Sequence, residues 1–264
     1  MKAEKLIFLK FGGSLITDKN QTETARIDVL QFLLSDLKQY MDENPHTRVL
    51  IGHGSGSFGH HAASKFQTQL GVSSEEDWLG FQEVWTSARR LNSIFIEQAT
   101  KARLPVMSFP PSASLISSGH KVKTWDIQPI QQTLEANLIP VVYGDVVFDE
   151  QIGGTIFSTE ELFFHLAQFL HPSKILLAGL EEAVYQDFPD NQHPLRHISK
   201  DETAEAFIKQ SQFQDVTGGM RTKVDQMQKL CRENPGTQIE IFSARKEGDL
   251  LQALNGQHSG TIIS

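Results

Sequence analysis

Three short constellations carry residue types suited to gripping an anion. The first is Lys10-Phe11-Gly12-Gly13-Ser14, directly after the apolar run Leu6–Leu9. Glycines let backbone N–H groups approach an anion closely because no Cβ intervenes, and a lysine just ahead of them can reach a phosphoryl group. Lys19, in Thr17-Asp18-Lys19, offers a second charge. The second constellation is Gly52-His53-Gly54-Ser55-Gly56-Ser57-Phe58-Gly59-His60-His61, with four glycines in the eight residues from Gly52 to Gly59. Following an apolar run and leading into helical sequence, it describes a strand–loop–helix anion cradle. It lacks the Gly-Lys-[Ser/Thr] ending of a P-loop. Gly54–Gly59 does fit G-x-G-x-x-G, but after the chain's second strand and with no acidic residue placed to hold a ribose. His60, where the helix would begin, can donate to a phosphate. His53, His60 and His61 are open to metal binding or surface exposure as well, although no carboxylate spacing supports a metal site. The third constellation is Asp215-Val216-Thr217-Gly218-Gly219-Met220-Arg221-Thr222-Lys223, a glycine pair opening a helix. A lysine in its first turn can point along the helix dipole toward a bound phosphate.

Each motif alone is weak, and what raises all three is their occurrence together. Phosphoryl transfer asks mainly for positioning and for positive charge around the equatorial oxygens. Two lysines and two backbone cradles supply those parts. Asp145, Glu160 and Asp215 are candidates to orient the lysines or to place Mg²⁺.

The elements that must position these residues alternate between short apolar runs and helical stretches, the signature of a parallel sheet covered by helices. Strands are expected at Leu6–Lys10, Arg48–Ile51, Pro105–Ser108, Ile139–Tyr143, Ile175–Ala178, Gln238–Phe242 and Thr261–Ile263. Val146–Phe148 and Gly154–Phe157 read as a hairpin around Asp149-Glu150. Helical spacing marks Ile27–Met41, about Glu83–Ala102 with Val84, Ala88, Leu91 and Phe95 on one stripe, Gln128–Ala136, and Gly219–Arg232. Ser158-Thr159-Glu160-Glu161 and Ser199-Lys200-Asp201-Glu202 are capping boxes, the latter opening a helix to about Gln210. One continuous sheet is the simplest organisation. It implies a single domain over residues 1–264, with an N-terminal lobe to about 170 on the acceptor side and a C-terminal lobe beyond it on the nucleotide side.

The composition narrows the partners. A formal net charge of −8 argues against general nucleic-acid binding, which usually needs a basic face. A single cysteine, Cys231, allows neither an intramolecular disulfide nor a cysteine-rich metal site. No run of about 18 apolar residues exists to span a membrane, and the N-terminal apolar run is too short for a signal peptide. A cytoplasmic protein is expected.

These motifs resemble the amino acid kinase family, and within it the isopentenyl phosphate kinases, over nearly the whole chain from Lys10 to Gly260-Thr261. Lys10–Lys19 is similar to the opening motif of that branch, and Gly54–His60 to its Gly-Gly-Gly-Ser-Phe-Gly-His loop. Gly144-Asp145-Val146 and Asp215–Met220 with Lys223 match its central strand end and its C-terminal nucleotide motif. The resemblance implies an αβα sandwich with a mainly parallel open sheet, a homodimer, and Mg-ATP as phosphoryl donor. The implied reaction turns isopentenyl phosphate into isopentenyl diphosphate. Lys10, Lys19 and Lys223 would line the γ-phosphate path. Gly12, Gly13, Ser14, Ser55, Gly56, Gly218 and Gly219 would meet the nucleotide, while Gly54, Gly59, His60 and Thr159 would hold the acceptor. Phe81, Val84, Trp85 and Ala88, with Ile156, could form an apolar pocket for its tail, or simply belong to the core. Three departures stand out: Ser55 for the middle glycine, Glu160 for an aspartate, and Gly179-Leu180-Glu181-Glu182-Ala183-Val184-Tyr185 in the nucleotide segment. They leave open a sibling kinase of another phosphate, phosphonate or carboxylate acceptor, or a non-catalytic nucleotide-binding relative.

Overall fold

Side chains of the first strand alternate between two apolar layers, because successive strand residues face opposite sides of a sheet. In the computed structural model, which describes residues 5–187, 190–202, 219–257 and 259–264, Ile7, Leu9 and Phe11 enter one core cluster and Phe8 the other. The N-terminal half runs β1 (Lys5–Phe11), α1 (Gly13–Ile16), α2 (Ile27–Glu43), β2 (Thr47–His53), α3 (Gly56–Phe66), α4 (Glu75–Lys101) and β3 (Val106–Ser108). It continues through β4 (Leu115–Ser117), β5 (Val122–Trp125), α5 (Gln128–Glu135), β6 (Ile139–Tyr143), β7 (Asp145–Asp149), β8 (Gly153–Phe157) and α6 (Thr159–Leu170). The remainder comprises β9 (Lys174–Gly179), β10 (Val184–Tyr185), β11 (Pro194–Leu195), β12 (His197–Ile198), α7 (Gly219–Glu233), β13 (Gln238–Ser243), α8 (Asp249–Leu254) and β14 (Thr261–Ile263).

Among the described residues, eight strands form the main sheet in the order β12-β14-β13-β9-β1-β2-β6-β3, parallel except for the β13–β14 pair. Helices α2, α4 and α8 cover one face and α5, α6 and α7 the other, giving the three-layer αβα sandwich expected. The chain order reverses beside β1: β2 and β6 lie on one side, β9 and β13 on the other. Open sheets bind ligands outside the carboxyl ends of strands at such a switch point, and both glycine turns of the N-terminal quarter lie there.

Three expectations differ from what is found. The sheet is not continuous. The β7–β8 hairpin leaves the main sheet and joins β4 and β5 in a separate four-stranded sheet, order β5-β4-β7-β8. Its β4 and β5 strands are three and four residues long, too short for an alternating pattern to register. Second, α4 starts at Glu75 rather than near Glu83. Ser74 caps it by accepting from the Asp77 N–H (3.1 Å), while Asp77 accepts from the Ser74 N–H (2.9 Å). An aspartate thus fills the place where the capping box usually carries Glu or Gln. Third, His53 is neither exposed nor a metal ligand. It is fully buried, stacked between Phe95 (5.0 Å) and Tyr143 (5.3 Å), with Nε2 3.2 Å from Oδ1 of Asn92. The helix expected after Ser199 falls mainly on residues outside the described ones.

Burial pushes the His53 imidazole down to about 4, although hydrogen bonds with Gly54 and Asn92 favour its charged form. Because the folded value lies below the ordinary 6.5, this stabilisation is complete above pH 6.5 and is lost as pH falls toward 4. Asp145 works in the opposite sense, since burial raises its carboxyl to about 6. The two partly cancel in the total acid limb, so His53 must be isolated by difference. The stability difference between wild type and His53→Phe should shrink by about 2–3 kcal/mol between pH 7 and about 4.5. Urea unfolding at a series of pH values measures it; a constant difference would show that His53 titrates normally.

Candidate active site

Two glycine turns meet at the carboxyl ends of β1 and β2. Gly12 leaves β1 extended and passes its N–H to Ala178 O of β9 (2.8 Å), and Gly54 passes its N–H to Phe11 O (3.0 Å). The turns then touch through backbone. A Cβ on Gly13 would fall 2.3 Å from the Gly56 nitrogen. One on Gly56, at φ +50°, would fall 2.1 Å from Oγ1 of Thr17. Thr17 ties the turns further, its hydroxyl donating to Gly13 O (2.7 Å) and accepting from the Ser57 N–H (2.9 Å).

This bonding decides which amides remain for a ligand. Gly12, Gly54 and Ser57 have spent theirs. Among the described residues, no acceptor meets the N–H groups of Gly13, Ser14, Ser55 or Gly56. These four lie at the starts of α1 and α3, where helix N–H groups lack intrahelical partners and favour an anion. The nucleotide expectation for Gly12 therefore rests on the close approach it allows, since its N–H is already bound.

Lys10, next to last in β1 and just ahead of the first glycine turn, is buried. Its Nζ lies 2.9 Å from Oε1 of Glu160, in the first turn of α6. The α6 start is fixed by a complete capping box, Ser158 with Glu161. Burial lowers the Lys10 pKa, against the pull of Glu160, and nearby Lys223 lowers it further. Burial also opposes ionisation of Glu160, but Lys10 and then Lys223 outweigh it and hold the carboxyl below its ordinary value. The longer glutamate arm thus still reaches the lysine. Removing one partner of such a buried pair costs about 3–5 kcal/mol, because the other charge is left uncompensated. Lys223, in the second turn of α7 and half-buried, acts electrostatically on both groups, so two lysines flank one carboxylate.

The other candidates are placed less uniformly. Ser14 is half-buried within α1, and Lys19 is exposed at the tip of the loop between α1 and α2. Thr159 is buried and its hydroxyl donates to His53 O (2.7 Å), so that hydroxyl is already engaged. Gly59 and His60 lie in the first turns of α3; the His60 side chain falls outside the described residues. Gly219 opens α7, while Gly218 and Asp215 lie outside the described residues. Phe81, Val84 and Ala88 of α4 are buried. Phe81 and Val84 join Ala63, Val72 and Val146 in a small third cluster, with Trp85 and Ile156 half-buried against it. Thr17 was not singled out by the sequence, although a threonine four residues after a glycine, free to bond back to its carbonyl, is a known local pattern.

Known proteins resemble this chain over nearly its whole length. The model of the amino acid kinase family matches residues 5–243. The chain belongs to the amino acid kinase family. It is 31% identical over 270 residues to the isopentenyl phosphate kinase of Methanocaldococcus jannaschii, covering 98% of each chain. It is also 31% identical over 271 residues to that of Methanothermobacter thermautotrophicus, covering 98% of this chain and 99% of the relative. A crystal structure of an isopentenyl phosphate kinase superposes with a TM-score of 0.83 at 28% identity, over 98% of this chain and 100% of that one. As a family member the chain is a phosphotransferase that uses ATP. No helix among the described residues is long and apolar enough to cross a membrane.

The contact between the turns is directly testable. Gly13→Ala should force them apart, lowering ATP affinity at least about tenfold and stability by about 1–3 kcal/mol. Gly144→Ala, whose Cβ would meet nothing nearer than 3.6 Å, is the comparison for stability. Nucleotide titration and thermal melts decide it, and equal behaviour of the two variants would refute the contact.

Proposed function

We propose that this chain transfers the γ-phosphoryl group of ATP to isopentenyl phosphate, giving isopentenyl diphosphate and ADP. What carries the reading is the buried Lys10–Glu160 pair with Lys223, set beside two abutting glycine turns, in a chain similar end to end to isopentenyl phosphate kinases. An oxygen of the acceptor phosphate attacks the γ-phosphorus in line. The bond from that phosphorus to the β–γ bridging oxygen breaks, and its electron pair leaves with ADP. No general base is required, because a phosphate monoester is already anionic near neutral pH.

The residues divide the work as follows. The amides of Gly13, Ser14, Ser55 and Gly56 hold the donor phosphates, with Gly12 allowing their approach and Gly218-Gly219 serving the nucleotide from the C-terminal lobe. Lys10, Lys19 and Lys223 balance charge as it moves to the β-phosphate, and Glu160 holds Lys10 in place. His60 takes the acceptor phosphate, with Gly54 and Gly59, whose N–H groups are already bound to Phe11 O and Ser55 O, allowing its close approach. Phe81, Val84, Trp85, Ala88 and Ile156 border the apolar tail, with Thr159 bracing the strand end beneath the acceptor. Among the described residues no three His, Cys, Asp or Glu side chains gather as a metal site. Mg²⁺ would enter with the nucleotide, held through its phosphate oxygens, and would supply positive charge to neutralise them. The N-terminal lobe serves the acceptor and the C-terminal lobe the nucleotide, in a cytoplasmic homodimer.

ADP release should follow addition of isopentenyl phosphate and exceed that with carboxylate or phosphonate acceptors; no turnover at millimolar acceptor would sink the assignment. His60→Ala should raise the KM for the acceptor far more than that for ATP, and the reverse would exchange the roles of the two turns. Lys223→Ala should lower kcat at saturating ATP by about 10²- to 10³-fold, whereas an unchanged kcat would remove it from the chemistry.

A further inference from the structure

Glu23 is a half-buried carboxylate that none of the motifs above uses. It sits in the loop between α1 and α2, at φ +48°. That left-handed backbone is uncommon for a residue with a side chain, and it persists only where its surroundings hold it. Both carboxylate oxygens are engaged on α4. Oε1 accepts from the Ser87 hydroxyl (2.6 Å), and Oε2 pairs with Arg90. The Glu23 N–H also reaches Ser57 O (3.4 Å), and the next residue, Thr24, donates its N–H to Oγ of Ser57 (3.3 Å).

The loop is a closed hairpin with Lys19 near its tip. Its base is stitched by Asp18 N–H to Thr24 O (2.9 Å), Arg26 N–H to Ile16 O (2.8 Å) and the Thr17–Ala25 bridge. Beyond the base, the backbone of Glu23 and Thr24 ties the hairpin to Ser57 of α3, and the Glu23 carboxylate adds a side-chain attachment to α4. It ends on Ser87, beside Ala88 and one turn from Val84, on the helix that borders the third apolar cluster. The carboxylate faces α4, and among the described residues no carboxylate ion-pairs with Lys19, whose charge is left for a ligand.

We propose that Glu23 is a positioning residue: clamped to Ser87 and Arg90, it holds the Lys19 hairpin over the phosphoryl-transfer site. The proposal rests on the reading of Lys19 as a cation on the γ-phosphate path. A misplacement of about 1 Å at such a group can cost about 10²-fold in rate.

The test is a mutant cycle in steady-state kinetics with isopentenyl phosphate and ATP. Glu23→Ala should lower kcat by about 10- to 100-fold with both KM values changed less than about threefold. Glu23→Gln, which retains an oxygen acceptor for Ser87, should recover part of the loss. Arg90→Ala, an exposed change that spares the fold, should lower kcat in the same direction by a smaller factor. In a Lys19→Ala background, Glu23→Ala should change kcat by less than about twofold, because both changes remove the same contribution. Full multiplicative losses in the double variant would overturn the clamp, as would a normal kcat for Glu23→Ala beside an impaired Lys19→Ala. A normal kcat for Lys19→Ala would instead overturn the role of Lys19 itself, and the clamp's with it.

Discussion

Gly13 and Gly56 meet without a side chain between them, and the site depends on that contact. Two strand ends brought so close put two helix starts side by side, so their uncommitted amides face one place rather than two. The closeness is enforced from below by the parallel β1–β2 ladder, in which Phe11 faces His53, and from the side by the Thr17 hydroxyl. A methyl group at either glycine would separate what the sheet has aligned. The anion nest therefore follows from sheet register together with two missing Cβ atoms.

The charges beside the nest obey a different constraint. Lys10 is carried by the central strand and Glu160 by the first turn of α6, so the pair joins the middle of the sheet to a helix on its far face. A buried lysine facing a second lysine would tend to lose its proton. The intervening carboxylate offsets that tendency without cancelling the positive charge of the group. Two lysines around one carboxylate leave the group with positive charge in excess. The α6 capping box matters here because it fixes the turn from which Glu160 extends.

Much of this was legible in the sequence, for identifiable reasons. β1, β2, β6 and β9 are marked by short apolar runs, as strands buried on both faces are. Ser158–Glu161 announced α6, because a capping box is local chemistry. Lys10, Glu160 and Lys223 were legible as candidates, but their meeting was not, since a contact across 150 residues leaves no local trace. The residues missed act at a distance in the same way. Glu23 reaches α4 across 64 residues to Ser87, and Asn92 supports His53 across 39. His53 itself misled by its place among glycines: it points down into the core from the strand that carries the loop. Strands of three or four residues, such as β4 and β5, are too short to display a period, so the second sheet stayed hidden.

The small apolar cluster around Phe81 and Val146 stands apart from the two that sandwich the main sheet. It is built between α3, α4 and the β7–β8 hairpin, and the hairpin belongs to the separate four-stranded sheet. Its members can therefore change size or shape while the load on the central strands stays the same. The fold thus carries a second, smaller packing unit beside α4, whose members can be exchanged without a matching change in the two clusters that hold the main sheet.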